Sequence, residues 1–445
     1  MNLGTVNNTD DIPVFDDVIT AYNNIREYFG ESDRVYFNHL LPVSFGSGDL
    51  KDQTPVGVNE FQAISEIGSF KLFGAFNKIC QVYKSTTNEN RVVNVAASAG
   101  NHAQGVALAC KKLGLESVIF MPVATPINKI IGTLRHGGQD VSGLEDLALT
   151  NPTRGQVKEY CDRNFDKWAN VKVKIAGANF DETAKLAQEY TQKIGGNFIP
   201  PYNNKEVIAA AGTWGLRLIE DLLKHNFNSL NYEKQDNFVS IEALMTSSPD
   251  NWTNVVKEKI EKLYGEGGKD LSISLPVGGG GLAAGMSLVI RKFAPAAELI
   301  AVALEGTPSL IESAKEGSVV PTTPAGLKYD DGLYIPGGTK VAKIGDITFE
   351  VIKNNFDKAV LVEHKAFMEA TANNLFREAM SEPQAGATQV AALNAATRSV
   401  RISVKSGENL SLEEIRIIRE KFPTPAIGMV KIDGAILETV EIKRN

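Results

Sequence analysis

Two short runs in this sequence hold residue types that suit one chemistry. Ser69-Phe70-Lys71-Leu72-Phe73-Gly74-Ala75 sets a single lysine in a small apolar turn. Flanking by Phe70 and Phe73 is expected to lower its basicity by desolvation. A neutral amine is what Schiff-base formation and proton abstraction require. The second run is Gly278-Gly279-Gly280-Gly281. Glycine lets the backbone approach an oxyanion and adopt positive φ, and a helix start offers its N–H groups to a phosphate. A cofactor with both an aldehyde and a phosphate would use both runs, and pyridoxal 5'-phosphate is the common one.

Each run also has a plainer reading. A lysine at a helix start usually reaches solvent, and nucleotide folds use glycine-rich loops too. The tetraglycine matches neither the P-loop lysine pattern nor G-x-G-x-x-G with a following acidic residue, which turns the reading away from nucleotides. A third run, Ser98-Ala99-Gly100-Asn101-His102, joins a strand to a helix start. Its backbone N–H groups would face an anion such as a carboxylate. Its plainer reading is an N-cap and turn alone, but Asn101 and His102 are poor choices for that, which favours the functional reading.

The elements that must position these runs alternate from about residue 55 onward. Val92–Ala97 reads as a buried strand, His102–Leu113 as a helix and Ser117–Val123 as the next strand, a βαβ unit. Thr125 is expected to cap a helix that runs to Arg135 and stops at Gly137-Gly138. Ile273–Val277, Leu282–Phe293 and Leu299–Leu304 form a second unit of the same kind. Such alternation predicts an α/β fold with parallel-rich sheets covered by helices, and ligands then bind outside the carboxyl ends of the strands. Two polar stretches, about 142–171 and 226–269, read as surface insertions, the latter with one helix-like piece over 254–263. Past Ser406 a helix is expected over 412–421, then a terminal strand-like run.

The 445 residues carry a net charge of −7, with 43% apolar and 22% charged residues. That balance disfavours a nucleic-acid or anionic-membrane surface. Cys80, Cys110 and Cys161 are widely spaced and form neither a disulfide framework nor a zinc motif. The polar, acidic Met1–Asp17 run lacks the features of a secretory leader, and no stretch is apolar for long enough to span a membrane. A cytoplasmic location is expected.

Ala96-Ala97-Ser98-Ala99-Gly100-Asn101-His102-Ala103-Gln104-Gly105 closely resembles the threonine/serine dehydratases of the fold-type II (tryptophan synthase β-like) pyridoxal-phosphate group. Ser69-Phe70-Lys71 resembles their lysine motif, and Pro276–Leu282 their phosphate loop. Further matches follow in the family's order: Phe198–Leu218, Glu305-Gly306-Thr307-Pro308-Ser309, Asp331-Gly332 with Thr348-Phe349-Glu350, Glu382–Gly386 and Ser406-Gly407-Glu408-Asn409. The resemblance implies a two-domain fold with the cofactor in the cleft. Residues 1–87 and 200–445 would form the larger domain, and 88–199 the smaller one carrying the Asn101 turn.

The resemblance also implies roles. Lys71 would take the cofactor's aldehyde and act as the catalytic base. Phe70 would pack beside the cofactor, and Asn101 would bond its ring hydroxyl. Gly278, Gly279, Gly280 and Gly281 would hold the phosphate, and Ser406 would meet the pyridine nitrogen. Ser98, Ala99, Gly100, Asn101 and His102 would line the seat of the substrate carboxylate.

The activity so implied is β-elimination on a small hydroxy amino acid, threonine or serine, by a homo-oligomer without nucleic-acid or membrane partners. Two alternatives are a β-replacement synthase and a non-catalytic cofactor or metabolite sensor. The His102-Ala103-Gln104 run weighs against the first, and the complete set of cofactor residues against the second. Phe73 stands where the family usually has arginine, and the two insertions are unusual. Relatives that bind a metal use a glutamate two positions before the place of Glu305; here that residue is Ala303, so no metal is expected. Activity should therefore persist in excess chelator. Loss in chelator with recovery on adding magnesium or calcium would refute this.

Overall fold

The structure, a computed structural model, describes residues 9–29, 41–45, 56–87, 91–226, 233–234, 239–322, 341–378, 388, 390–391, 400–406, 435–442 and 444. The strands are β1 (Leu41–Phe45), β2 (Val56–Gln62), β3 (Asn94–Ala97), β4 (Ser117–Met121), β5 (Val171–Ile175), β6 (Asn197–Phe198), β7 (His225–Asn226), β8 (Glu233–Lys234), β9 (Leu271–Pro276), β10 (Glu298–Leu304), β11 (Lys358–Val362), β12 (Val400–Lys405) and β13 (Ile436–Glu441). They form a seven-stranded sheet in the order β1-β2-β12-β9-β10-β11-β13, a four-stranded sheet β5-β4-β3-β6, and the isolated pair β7-β8. The small sheet is parallel throughout. The large one is parallel from β2 to β11 and antiparallel only at its two edges. Every residue of β4 and β9 is buried, as parallel strands covered on both faces require. The α/β class read from the sequence is the class observed.

The helices, in chain order, are α1 (Phe15–Tyr28), α2 (Lys71–Ser85), α3 (Asn101–Leu113), α4 (Ile127–His136), α5 (Ser142–Leu149), α6 (Arg154–Asn164), α7 (Phe180–Ile194), α8 (Lys205–Lys224), α9 (Ile241–Ser247), α10 (Trp252–Tyr264), α11 (Gly281–Phe293), α12 (Ser309–Glu316), α13 (Asp346–Asn355) and α14 (His364–Glu378). Both expected βαβ units form, with boundaries shifted by one or two residues. Thr125 does not cap α4. Pro126 stands between it and the helix in an extended conformation, and a residue before proline is held out of the helical region.

Among the described residues, the two expected insertions pack into the core rather than lying as surface loops. Over 142–171, α5 and α6 turn Leu144, Val157 and Cys161 inward, and Trp168 and Val171 join the same core. Over 226–269, α10 buries Trp252, Val256, Ile260 and Tyr264 at one-turn spacing, and the Tyr264 hydroxyl donates to the Leu222 carbonyl at 2.8 Å. Their polar majority concealed these apolar stripes. The expected helix over 412–421 and the motif segments 331–332, 382–386 and 407–409 lie outside the described residues.

One helix crossing fixes the geometry beneath the glycine loop. Helices α8 and α11 meet glycine to glycine. A Cβ on Gly285 would collide with the Ile208 carbonyl oxygen and lie 2.6 Å from the Gly212 nitrogen, and one on Gly212 would come within 2.9 Å of the Gly285 oxygen. These obstacles are backbone and cannot rotate aside. Gly285→Ala should gain up to about 1 kcal/mol of helix propensity but lose about 1–3 kcal/mol to overpacking. A thermal melt should show a lower unfolding midpoint for Gly285→Ala, whereas an unchanged or raised midpoint would mean the helices separate freely.

Candidate active site

Lys71 opens α2, directly after a tight turn. The Ser65 hydroxyl donates to the Ser69 carbonyl at 2.6 Å, and the Ser69 hydroxyl accepts the Lys71 N–H at 3.3 Å. The Phe70 N–H donates to the carbonyl of Ser406 at 3.3 Å. Ser406 reaches this point because β12, which it follows, runs parallel to β2 with Lys405 opposite Gln62. Residues more than three hundred positions apart therefore meet at the helix start. The Lys71 ammonium nitrogen lies 4.7 Å from the Phe70 ring centre and donates to the Pro201 carbonyl at 3.0 Å.

Phe73 does not flank the amine. Two residues along a helix face nearly opposite ways, and Phe73 is buried, stacked on Trp214 at 5.2 Å and edge-on to Phe29 at 5.5 Å. Of the two flanking aromatics expected from sequence, only Phe70 lies beside the amine.

The turn after β3 comes to the same place because α3 packs closely on α2. A Cβ on Gly105 would stand 3.2 Å from the Leu72 Cα and 3.3 Å from the Lys71 carbonyl carbon. Within the turn, the Ser98 N–H donates to the Phe120 carbonyl at 3.0 Å, and the Ser98 hydroxyl accepts the Gly100 N–H at 3.1 Å. Gly100 precedes α3, and the space where its Cβ would stand is open. The Ala103 N–H donates to the Gly100 carbonyl at 3.0 Å, and the positive end of the α3 dipole favours an anion at this turn.

His102 behaves differently from its neighbours. Its ring is buried, and its Nε2–H donates to the Ile199 carbonyl at 2.9 Å. Burial, with the nearby Lys71 charge, pushes its pKa down to about 4. The ring is neutral near pH 7 and bonds inward, which leaves the backbone as His102's contribution to an anion seat.

The tetraglycine lies between β9 and α11. Gly280 has φ +91°, which an L side chain rarely adopts. A Cβ at Gly279 would strike the ring of Tyr202, and one at Gly281 would stand 3.1 Å from the Tyr202 Cβ. The Gly279 carbonyl accepts the Thr348 hydroxyl at 2.7 Å and the Gly345 N–H at 3.3 Å. The loop's carbonyl side is thus tied to the start of α13, while the N–H groups opening α11 have no intrahelical acceptor. Part of the glycine requirement therefore comes from Tyr202, which sequence reading missed. Burial pushes the Tyr202 hydroxyl up to about 12, so it stays protonated.

Lysine amine and glycine loop are coupled by consecutive residues: Pro201 receives Lys71, and Tyr202 lies on the loop. A lysine amine, a helix-start nest of N–H donors and the neighbouring Ser406 fit a group that bears an aldehyde, a phosphate and a ring nitrogen. Among the described residues no cluster of three His, Cys, Asp or Glu could hold a metal ion. Ala303 is buried in β10, and the Glu305 carboxylate accepts the His364 N–H at 2.8 Å, a cap at the positive end of α14.

A family model described as pyridoxal-phosphate dependent enzyme matches residues 61–230 and 229–406. The chain is 30% identical over 359 residues to the biosynthetic L-threonine dehydratase of Staphylococcus aureus (strain NCTC 8325 / PS 47), covering 80% of this chain and 66% of that one, just under two thirds of the relative's length. It is 28% identical over 410 residues to the L-threonine ammonia-lyase of Thermotoga maritima, covering 91% and 78%. The fold superposes on a T.th. threonine deaminase with a TM-score of 0.60 at 20% identity, over 90% of this chain and 99% of that one. The processed threonine deaminase isoform 2 of Solanum lycopersicum gives 0.59 at 23%, over 92% and 95%. The structural likenesses speak for the fold, while the family match runs from Phe61 to Ser406 and takes in both Lys71 and the tetraglycine. The chain belongs to the pyridoxal-phosphate-dependent enzymes.

Proposed function

We propose that this enzyme removes ammonia from a small hydroxy amino acid, threonine or serine, leaving a 2-oxo acid. The observation that carries the reading is the convergence of Lys71, Ser406 and the Ser98–His102 turn at the start of α2. The L-threonine dehydratase and ammonia-lyase among the relatives support the choice of substrate class.

Pyridoxal phosphate, when bound, supplies the electron sink for the pair released as the α-proton leaves. The chain supplies the rest. N–H groups at the start of α11, with Gly278, Gly279, Gly280 and Gly281, would hold the phosphate. Phe70 would pack beside its ring, and Asn101 and Ser406 would bond its hydroxyl and its nitrogen. A serine hydroxyl cannot stabilise a protonated ring nitrogen as a carboxylate would, so the sink is mild and early loss of a β-substituent is favoured. Ser98, Ala99, Gly100, Asn101 and the His102 backbone hold the substrate carboxylate. Lys71 Nζ takes the α-proton, and the β-hydroxyl then departs with a proton as water. Hydrolysis of the remaining carbon–nitrogen bond consumes one water and releases ammonia.

The same reading makes 1–87 with 200–445 one domain and 88–199 the other. It is supported by the small sheet, whose strands all fall between 94 and 198. A cytoplasmic homo-oligomer that binds neither nucleic acid nor membrane is proposed with it. The acidic balance supports that proposal, and no described helix is long and apolar enough to cross a membrane.

Purified protein should be yellow, and Lys71→Ala should lose the visible band and lower 2-oxo acid formation by about 10³-fold. A borohydride-reducible imine persisting at another lysine would sink the assignment.

Ala99 generates a second expectation. Its methyl group has no transferable proton, so Lys71 is the acid–base group on only one face of the α-carbon. Supplied with the L-hydroxy amino acid, the enzyme should form 2-oxo acid with no appreciable D-enantiomer. Chiral chromatography showing D-product as fast as oxo acid would reveal a proton carrier on the far face.

A further inference from the structure

We infer that His102 is a positioning residue for the Lys71 amine, acting through the strap Ile199-Pro200-Pro201-Tyr202. The inference rests on Lys71 as the cofactor lysine and not on which amino acid is turned over.

The strap is an unusual piece of chain. Pro200 and Pro201 lack N–H groups and have φ fixed near −65°. It therefore cannot be held by a ladder of its own N–H donors, and its anchors are its carbonyls and its two ends. At one end the Ile199 N–H donates to the Val95 carbonyl at 2.8 Å. The Ile199 carbonyl accepts His102 Nε2–H at 2.9 Å. Two residues on, the Pro201 carbonyl accepts Lys71 Nζ at 3.0 Å. At the far end the Tyr202 ring lies against Gly279 and Gly281, and its hydroxyl donates to the Lys343 carbonyl at 3.4 Å. One stiff segment therefore touches the carboxylate turn, the lysine and the phosphate loop.

The His102 side chain ties the strap to the first turn of α3. A carbonyl only accepts, so the proton sits on Nε2. The ring stays neutral near pH 7 because burial and the Lys71 charge both oppose its protonation. Its bond is therefore the same throughout the neutral pH range. Loss of the donor leaves the Ile199 carbonyl buried without that partner, and the strap can shift. Since the prolines transmit displacement rather than absorb it, the Pro201 carbonyl moves with it. That carbonyl receives the Lys71 amine whenever the amine is not joined to the cofactor. This is its state on reaching for the cofactor and after a substrate amino group displaces it. A histidine that touched the substrate carboxylate directly would leave this step untouched.

The test compares His102→Leu, which fills similar space without a donor, with His102→Gln, whose amide can still donate to Ile199. The full-length protein is stripped of cofactor and mixed with pyridoxal phosphate. Growth of the visible imine band is followed, and the linkage is located by borohydride trapping and peptide mass. His102→Leu should slow imine formation at Lys71 about tenfold or more, the scale set by small misplacements of a reacting group. His102→Gln should restore most of the rate, and Pro201→Ala, which loosens the strap but keeps the carbonyl, should be slow as well. If His102→Leu does not fold, the contrast between His102→Gln and Pro201→Ala decides. Imine formation at the wild-type rate in His102→Leu, with only KM raised, would overturn the inference and return His102 to the substrate seat. Equal slowing in the leucine and glutamine variants, or a wild-type rate in Pro201→Ala, would overturn it too.

Discussion

The contact on which the site depends is the glycine-to-glycine approach of α8 and α11. It brings two helix backbones to a separation that no side chain permits. Helix α11 carries the tetraglycine at its start, and α8 begins three residues after Tyr202. Closing the crossing therefore presses Tyr202 on Gly279 and Gly281 and places the tetraglycine loop and the strap in fixed relation. A second close approach, Gly105 against Lys71 and Leu72, does the same for the carboxylate turn. In both places close packing of backbone atoms, rather than charge, sets the distances over which the chemistry must occur.

Charge then acts within that frame. The start of α11 and the start of α3 both present positive dipole ends, suited to the phosphate and the carboxylate of the proposed reaction. Three nearby groups are held neutral or paired: the His102 ring by burial, the Tyr202 hydroxyl by burial, and Glu305 by the start of α14. The Pro201 anchor of the amine is a carbonyl oxygen, which positions Lys71 without adding a formal charge that would oppose its return to neutrality.

Most of the fold was legible because its parallel strands are continuous apolar runs separated by helical periodicity. Those signals are local, and they placed β3, β4, β9, β10 and the helices between them to within two residues. The strand-to-helix turns that carry the proposed site residues were legible for the same reason. What escaped was non-local. Pro201 and Tyr202 carry no motif of their own, and only tertiary contact shows them at Lys71 and the glycines. Phe73 was misread because adjacency in sequence was taken for adjacency in space, whereas its helical phase sends it to Trp214. The packed faces of α5, α6 and α10 were hidden by their polar surroundings. His102 was named from sequence as part of the carboxylate seat, but its inward bond depends on Ile199, ninety-seven residues away.

The three cysteines have a practical consequence. Cys80 in α2, Cys110 in α3 and Cys161 in α6 are all buried. Desolvation pushes their thiols up to about 11, 12 and 12 respectively. Thiol reagents attack the thiolate, so each sulfur reacts only after its own helix has opened to water. The chain thus contains three native reporters of local opening. Two sit on the helices that meet at Gly105, and the third on the helix of a polar stretch distant in sequence from the chemistry. The rate at which each is modified measures how often its helix leaves the packed state. A map of mobility around Lys71 can therefore be drawn from the native sequence, with no cysteine introduced.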